Sequence, residues 1–288
     1  LHVRSRRQRQ MCIRDSPKTI DNDLCLTDHT PGFGSAAKYI ASTILEIAHD
    51  TFSYPVPSVT IVEIMGRDAG WLTSASALAR NEYNTAPHLS YLPEAPFDTA
   101  QFLADVKELL KKQNTVIIAV SEGIRDKNGN YISAASQTTD GFGHSHLSGA
   151  GKALENFVTS NIDIKVRSIE INVLQRSGAH ISSATDLTES FELGHHAVEL
   201  AEEGVTGCMV TLKRLSSNPY KVAYGHENVA KIANEIRSVP REWINEAGND
   251  VLPPMYEYLR PLIIGEPDIR YKNCLLYTSP SPRDISGS

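Results

Sequence analysis

The chain contains no apolar run approaching the roughly 18–20 residues that a membrane-spanning helix needs, and no signal peptide is visible. A membrane protein is therefore not expected. Cysteine is scarce: there are four, and two of them, Cys12 and Cys274, fall in end segments discussed below. The remaining Cys25 and Cys208 cannot build a disulfide scaffold and fit a reducing, cytoplasmic setting. No Gly-x-Ser-x-Gly elbow exists, which removes support for nucleophilic hydrolysis. No G-x-G-x-x-G follows a strand-like run, which leaves a dinucleotide-dependent oxidoreductase a distant reading.

Both ends read as foreign. Cys274 to Ser279 can be encoded as TGT CTC TTA TAC ACA TCT, and the opposite strand of that element, in the right frame, encodes Met11 to Asp15. One DNA element translated from both strands thus brackets the chain, as a transposase-type sequencing adaptor would. A basic, disordered arm for nucleic acid is the alternative for the N-terminus, but it leaves the complementarity unexplained. The expected organisation is an adaptor-derived segment over 1–16, a genuine polypeptide over 17–273 and a second adaptor-derived segment over 274–288. Without the flanks, 22 basic residues face 32 acidic ones, so binding to nucleic acid loses its electrostatic support. No internal repeat, linker or low-complexity stretch interrupts 17–273.

Apolar spacing alternates between two periods. Ala37, Ile40, Ala41, Ile44, Leu45 and Ala48 recur at helical spacing, with Ser35 placed to cap the helix. Val59 to Ile64 is a β-branched run and hence a strand, Leu72 to Ala79 is helical, and Phe102, Val106, Leu109 and Leu110 mark another helix. Val116 to Val120 follows as a strand. Lys152 to Val158 reads as helix after the glycine-rich 141–151, and Val166 to Leu174 as strand. Asp186 and Glu189 are read as a capping box for a helix that Gly204 ends, and Cys208 to Leu212 is the last clear strand. Strand, turn and helix in repetition, with near-continuous apolar strands, predict an α/β fold built on mostly parallel sheets. Ligands in such folds sit beyond the carboxyl ends of the strands. Met65, Gly66 and Arg67, and Ser121, Glu122 and Gly123, fall at two such ends.

The strongest chemical signal is Lys18, Thr19, Ile20, Asp21, Asn22 and Asp23. Phosphoryl transfer to an alcohol needs a base, a divalent cation and positive charge on the moving group. One of these two carboxylates can face an acceptor hydroxyl while the other supports Mg²⁺. Lys18 suits a phosphate as a compact charge, and Thr19 offers a hydroxyl. The bland reading is an Asx-rich turn after a proline. Gly66 allows a backbone to approach a ligand and Arg67 supplies a phosphate fork. Glu122 could accept sugar hydroxyls, and Arg167 and Arg176, nine residues apart, could each hold a phosphate. Three decoys are set aside. Gly149, Gly151 and Lys152 look like a phosphate loop, but His146 and Ala153 break its pattern. His144 with His146, and His195 with His196, lack partners at zinc spacing.

Pro17 to Asp23, Ile64 to Arg67, Ser121 to Gly123 and Leu174 to Arg176 occur in the order and rough spacing of the phosphofructokinase family, which the chain resembles over 17–273, most closely in its pyrophosphate-dependent branch. The resemblance implies two Rossmann-like lobes with the N-terminal one incomplete. It implies transfer of a phosphoryl group from pyrophosphate to the 1-hydroxyl of fructose 6-phosphate, with Mg²⁺, in a cytoplasmic homo-oligomer. Asp21 would be the base, Lys18 would stabilise the transferring phosphoryl, and Asp23 would serve the metal. Thr19, Ile20, Met65, Gly66, Arg67, Glu122, Arg167 and Arg176 would bind substrate, with Arg176 near the 6-phosphate. Val173 departs from the family's usual His or Tyr, and Ser58 from an Arg that reaches a neighbouring subunit in many members. Tyr258 and Arg260 are possible substitutes. The family's donor loop, G-G-D-G or G-G-D-D, lies upstream of the T-I-D motif, where the adaptor is expected to have replaced it, so the chain as printed is expected to be inactive. ATP is the alternative donor, and a non-catalytic sugar-phosphate-binding subunit is the alternative from another class.

Overall fold

A computed structural model of the chain describes residues 14–15, 17–132, 149–233, 235–267, 270–272 and 275–277. His144 and His146, and most of the two adaptor-derived segments, lie outside these. In chain order the main elements are β1 (Arg14–Asp15), α1 (Phe33–Phe52), β2 (Ser58–Ile64), α2 (Trp71–Ala75), β3 (Leu89–Tyr91), α3 (Thr99–Leu110) and β4 (Thr115–Ser121). They continue with α4 (Ala150–Asn161), β5 (Lys165–Glu170), α5 (Leu174–Ser177), α6 (Ala184–Glu202), β6 (Cys208–Ser217), β7 (Tyr220–Asn228) and α7 (Pro253–Leu259).

The central sheet has the order β3-β4-β2-β5 with every pairing parallel. Alternation along its strands sends side chains to two faces. Val62, Ile64, Ile117 and Ala119 join Ile40 and Ile44 of α1 and Trp71 and Leu72 of α2 in one apolar layer. Val59, Ile61, Val116, Ile118 and Val120 meet Phe102 and Val106 of α3 and Leu154 and Val158 of α4 in the other. A smaller sheet, β1-β6-β7, is parallel between β1 and β6 and antiparallel in the β6–β7 hairpin. Leu193 and Leu200 of α6 cover it at Cys208, Val210 and Leu212. The fold is α/β with mostly parallel strands, as its patterning predicts.

Several local expectations need correction. α1 is not capped by Ser35. Its N-cap, Gly32, is left-handed at φ 94°, and Asp186 of α6 accepts the N–H groups of Gly32 (2.8 Å) and Ser35 (3.0 Å) and the Ser35 hydroxyl. The N-cap of α6 is Ser183, which accepts from the N–H of Asp186, so Asp186 and Glu189 are not a capping box. Glu189 instead reaches His29. The strand expected to run to Leu174 stops at Glu170, because Asn172 turns left-handed (φ 49°) and α5 begins. The hairpin strand β7, half-exposed and weakly patterned, had no clear apolar signature.

Candidate active site

The register of the central sheet builds the site. Ile64 of β2 pairs with Ser121 of β4, and Glu63 pairs with both Val120 and Glu170 of β5. Three chains therefore leave the same carboxyl edge together, as Met65–Arg67, Glu122–Gly123 and the turn leading to Arg176. The acidic turn Asp21–Asp23 closes over them. The resulting cavity, about 370 Å³, is lined by Asp21, Asp23, Met65, Arg67, Asp68, Ala69, Glu122, Arg176 and Ile236.

Glycine is structurally required in this edge. A Cβ on Gly123 would lie 1.8 Å from the carbonyl oxygen of Arg67, so only glycine lets the two turns pack. Gly66, at φ 136°, accepts the Ser121 hydroxyl on its carbonyl and donates its N–H to Glu122 Oε1 at 3.3 Å. The N–H of Met65 donates to Gln175 Oε1 at 3.4 Å, which ties α5 and hence Arg176 to the end of β2.

The acidic turn is held by its middle residue. Asn22 is fully buried and left-handed (φ 57°), a conformation asparagine tolerates better than most residues. Its amide donates to the Tyr258 hydroxyl (2.9 Å) and accepts the N–H of Thr30 (3.1 Å). Asp21 and Asp23 thus flank a pivot whose side chain is committed to distant residues rather than to its own turn. Thr19 Oγ1 accepts the N–H of Asp21 at 3.2 Å.

Electrostatics separate the carboxyls. Burial, then the neighbouring Asp23, push the Asp21 carboxyl up, against the pull of Arg176, Arg67 and Lys18. Burial also raises Asp23, against a bond from its own backbone N–H, with Asp68 adding to the rise. Glu122 is pushed up to about 7, chiefly by burial and further by Asp21 and Glu63, despite its bond from Gly66. Arg67 Nε is buried and has no hydrogen-bond partner among the described residues. Together these groups offer a proton acceptor of raised affinity, a second carboxylate and two guanidinium groups, the equipment for handling a phosphorylated alcohol.

Asp21, Asp23, Met65, Arg67, Glu122 and Arg176 come together at the cavity, and Gly66 supports it from the backbone. Lys18 lines an adjoining cavity of about 410 Å³ that shares Arg176. Other expectations are not met. Ile20 belongs to the apolar core and lines that second cavity, not the one that holds Asp21. Arg167 does not reach the site. It pairs with Asp50 (2.9 Å) and donates to Thr51 (2.8 Å) and Thr60 (3.1 Å), because its position in β5 opposite Thr60 lies back along the strand from the carboxyl edge. Tyr258 is buried as a support for Asn22, and Arg260 lies exposed over the Tyr256 ring. The phosphate-loop look-alike is occupied from within: Glu63 accepts the N–H groups of Gly149 (3.1 Å) and Gly151 (2.7 Å), and Lys152 pairs with Glu155. His195 and His196 both face Glu199. Asp68, Ala69 and Ile236 were not foreseen. Asp68 and Ala69 directly follow Met65–Arg67 and could have been included by extension, whereas Ile236 carried no signal.

The family model for phosphofructokinase matches residues 4–201. The chain belongs to the phosphofructokinase family. It is 40% identical over 261 residues to a pyrophosphate–fructose 6-phosphate 1-phosphotransferase of Halomonas elongata, covering 90% of this chain and 62% of that protein. A protein of the same description from Xanthomonas campestris pv. campestris is 37% identical over 257 residues, 88% of this chain and 62% of its own length. Among solved structures, a pyrophosphate-dependent phosphofructokinase from Marinobacter aquaeolei superposes with a TM-score of 0.80 at 33% identity, covering 92% of this chain and 63% of that one. The chain thus spans less than two thirds of the length of these relatives. Among the described residues no helix is long and apolar enough to cross a membrane.

Proposed function

We propose that this chain carries the sugar-phosphate half of a phosphotransferase that moves a phosphoryl group from pyrophosphate to the 1-hydroxyl of fructose 6-phosphate. The observation that carries the reading is the convergence of Asp21, Asp23, Arg67, Glu122 and Arg176 on one cavity from four separate chain segments. Asp21 takes the hydroxyl proton, and its raised proton affinity suits that task. Arg67 and Arg176 hold the anionic substrate, Glu122 accepts or donates to its hydroxyls, and Lys18 reaches the moving phosphoryl from the adjoining cavity. Thr19 orders the turn that presents Asp21.

Asp21 and Asp23 also fit a magnesium ion, since the two carboxylates line one cavity with Asp23 close enough to push the Asp21 carboxyl up, and Mg²⁺ commonly takes one or two carboxylates plus substrate phosphates. Asp23 would hold it, and the ion would neutralise donor charge. In this reading residues 17–273 are the catalytic portion and the flanks are adaptor-derived, so activity belongs to the enzyme at the full length of its relatives. That enzyme works in the cytoplasm as a homo-oligomer.

Turnover of fructose 6-phosphate by that full-length enzyme, with pyrophosphate and with ATP as donors in parallel, tests the reading. Product from pyrophosphate supports it. Product from ATP alone refutes the donor, and fructose 6-phosphate left unphosphorylated by both refutes the activity.

A further inference from the structure

The acidic turn is held from below by a segment that no motif marks. Leu24 and Ile236 form an antiparallel bridge, and the N–H of Arg237 donates to the Asp23 carbonyl at 2.7 Å. The Arg237 guanidinium then bends back under the turn. It donates to the Asn22 carbonyl at 3.4 Å and from both terminal nitrogens to the Tyr258 hydroxyl at 3.3 Å. That hydroxyl is the one that receives the Asn22 amide. The cation lies over the Trp71 ring, 4.3 Å from its centroid, and over Tyr258 at 5.5 Å. Trp71, the first residue of α2, donates its indole N–H to the Arg237 carbonyl at 2.8 Å. Two residues on, the N–H of Val239 shares Glu94 Oε1 with the N–H of Gly70, each at 2.8 Å.

These bonds join the turn carrying Asp21 and Asp23 to the chain that follows Met65–Arg67. Arg237 does not line the cavity, and the cations acting on Asp21 are Arg176, Arg67 and Lys18. Its charge is spent on a backbone carbonyl, a phenol and two aromatic faces, which only a planar fork can serve at once.

We propose that Arg237 is a positioning residue for phosphoryl transfer, setting where the Asp21–Asp23 turn stands relative to Arg67. The inference rests on the proposed function. A turn released by a fraction of an ångström would still bind the sugar phosphate through Arg67 and Arg176, but the base would miss its hydroxyl. The expected signature is a fall in kcat with little change in KM.

The test is steady-state kinetics of Arg237→Met and Arg237→Lys in the full-length enzyme, beside wild type, with folding checked by near-ultraviolet circular dichroism. Arg237→Met is expected to lose about 10²-fold in kcat, with KM for fructose 6-phosphate within about threefold. Arg237→Lys keeps a charge over Trp71 without the fork and should fall between the two. A folded Arg237→Met with kcat within about twofold of wild type overturns the proposal, as does a raised KM at unchanged kcat, which would make Arg237 a substrate cation. Where Arg237→Met does not fold, Arg237→Lys decides by the same criteria. A wild type that phosphorylates fructose 6-phosphate with neither donor refutes the functional reading itself, and the inference falls with it.

Discussion

Glu122→Gln removes a charge that the fold resists, and its effect on stability follows from the site. Glu122 sits half-buried at the end of β4, accepts one N–H from Gly66, and is pushed from 4.5 to about 7 chiefly by burial and further by the nearby Asp21 and Glu63. The folded state therefore binds this proton more tightly than the unfolded chain does. The associated stabilisation is complete below pH about 4.5, drains away as pH rises to about 7, and is absent above. At about 1.4 kcal/mol per pH unit the full window corresponds to about 3 kcal/mol, and water at the cavity mouth reduces this to about 2 kcal/mol. Glutamine is nearly the same shape, keeps an oxygen for the Gly66 N–H and cannot ionise. Urea denaturation of both proteins from pH 4.5 to 7.5 isolates the effect, because every other titrating group is common to the two. The stability of wild type relative to Glu122→Gln should fall by about 2 kcal/mol across that range. A difference that stays flat to within about 0.5 kcal/mol would show that Glu122 titrates normally and that the site is far wetter than its geometry implies.

Two further outcomes follow. Gly123→Ala must push a methyl group into the Arg67 carbonyl, 1.8 Å away, so melting should show destabilisation of at least about 3 kcal/mol; an unchanged melting temperature would mean the turns are not in contact. His29 is buried with Nδ1 2.8 Å from Asp28 and Nε2 2.6 Å from Glu189, so both nitrogens donate and the ring is cationic. Burial opposes that charge, but the two carboxylates prevail and raise its pKa above 6.5. Its contribution is whole below pH about 6.5 and is lost as pH climbs through the raised value. The stability advantage of wild type over His29→Gln should accordingly shrink between pH 6.5 and 9, and an advantage that grows would contradict the assigned charge.

The parts of this molecule that announced themselves were those with repeated spacing or unusual chemistry. β2 and β4 are continuous β-branched runs because both their faces are covered, and their ends located Met65–Arg67 and Glu122 correctly at a carboxyl edge. Asp21 and Asp23 stood out because two acids beside a lysine serve no packing purpose. What stayed hidden depends on contacts between residues far apart in the chain. Asn22 looked like turn material until its bonds to Thr30 and Tyr258 were seen. Asp186 caps α1 across 151 residues, a relation no local pattern encodes. Arg167 shows the opposite failure, since an arginine in a phosphate-binding family invites a phosphate role, yet its place in β5 commits it to Asp50. Ile236 and Arg237 sit in a segment whose significance exists only once Leu24 lies beside it.

The central claim is that Asp21 takes the proton from the sugar hydroxyl. Its most direct test is kcat for pyrophosphate-dependent phosphorylation of fructose 6-phosphate by full-length Asp21→Asn, an isosteric change that removes only the base. The account predicts a loss of about 10²–10⁴-fold with the fructose 6-phosphate KM nearly unchanged. An Asp21→Asn enzyme that turns over at the wild-type rate would contradict it.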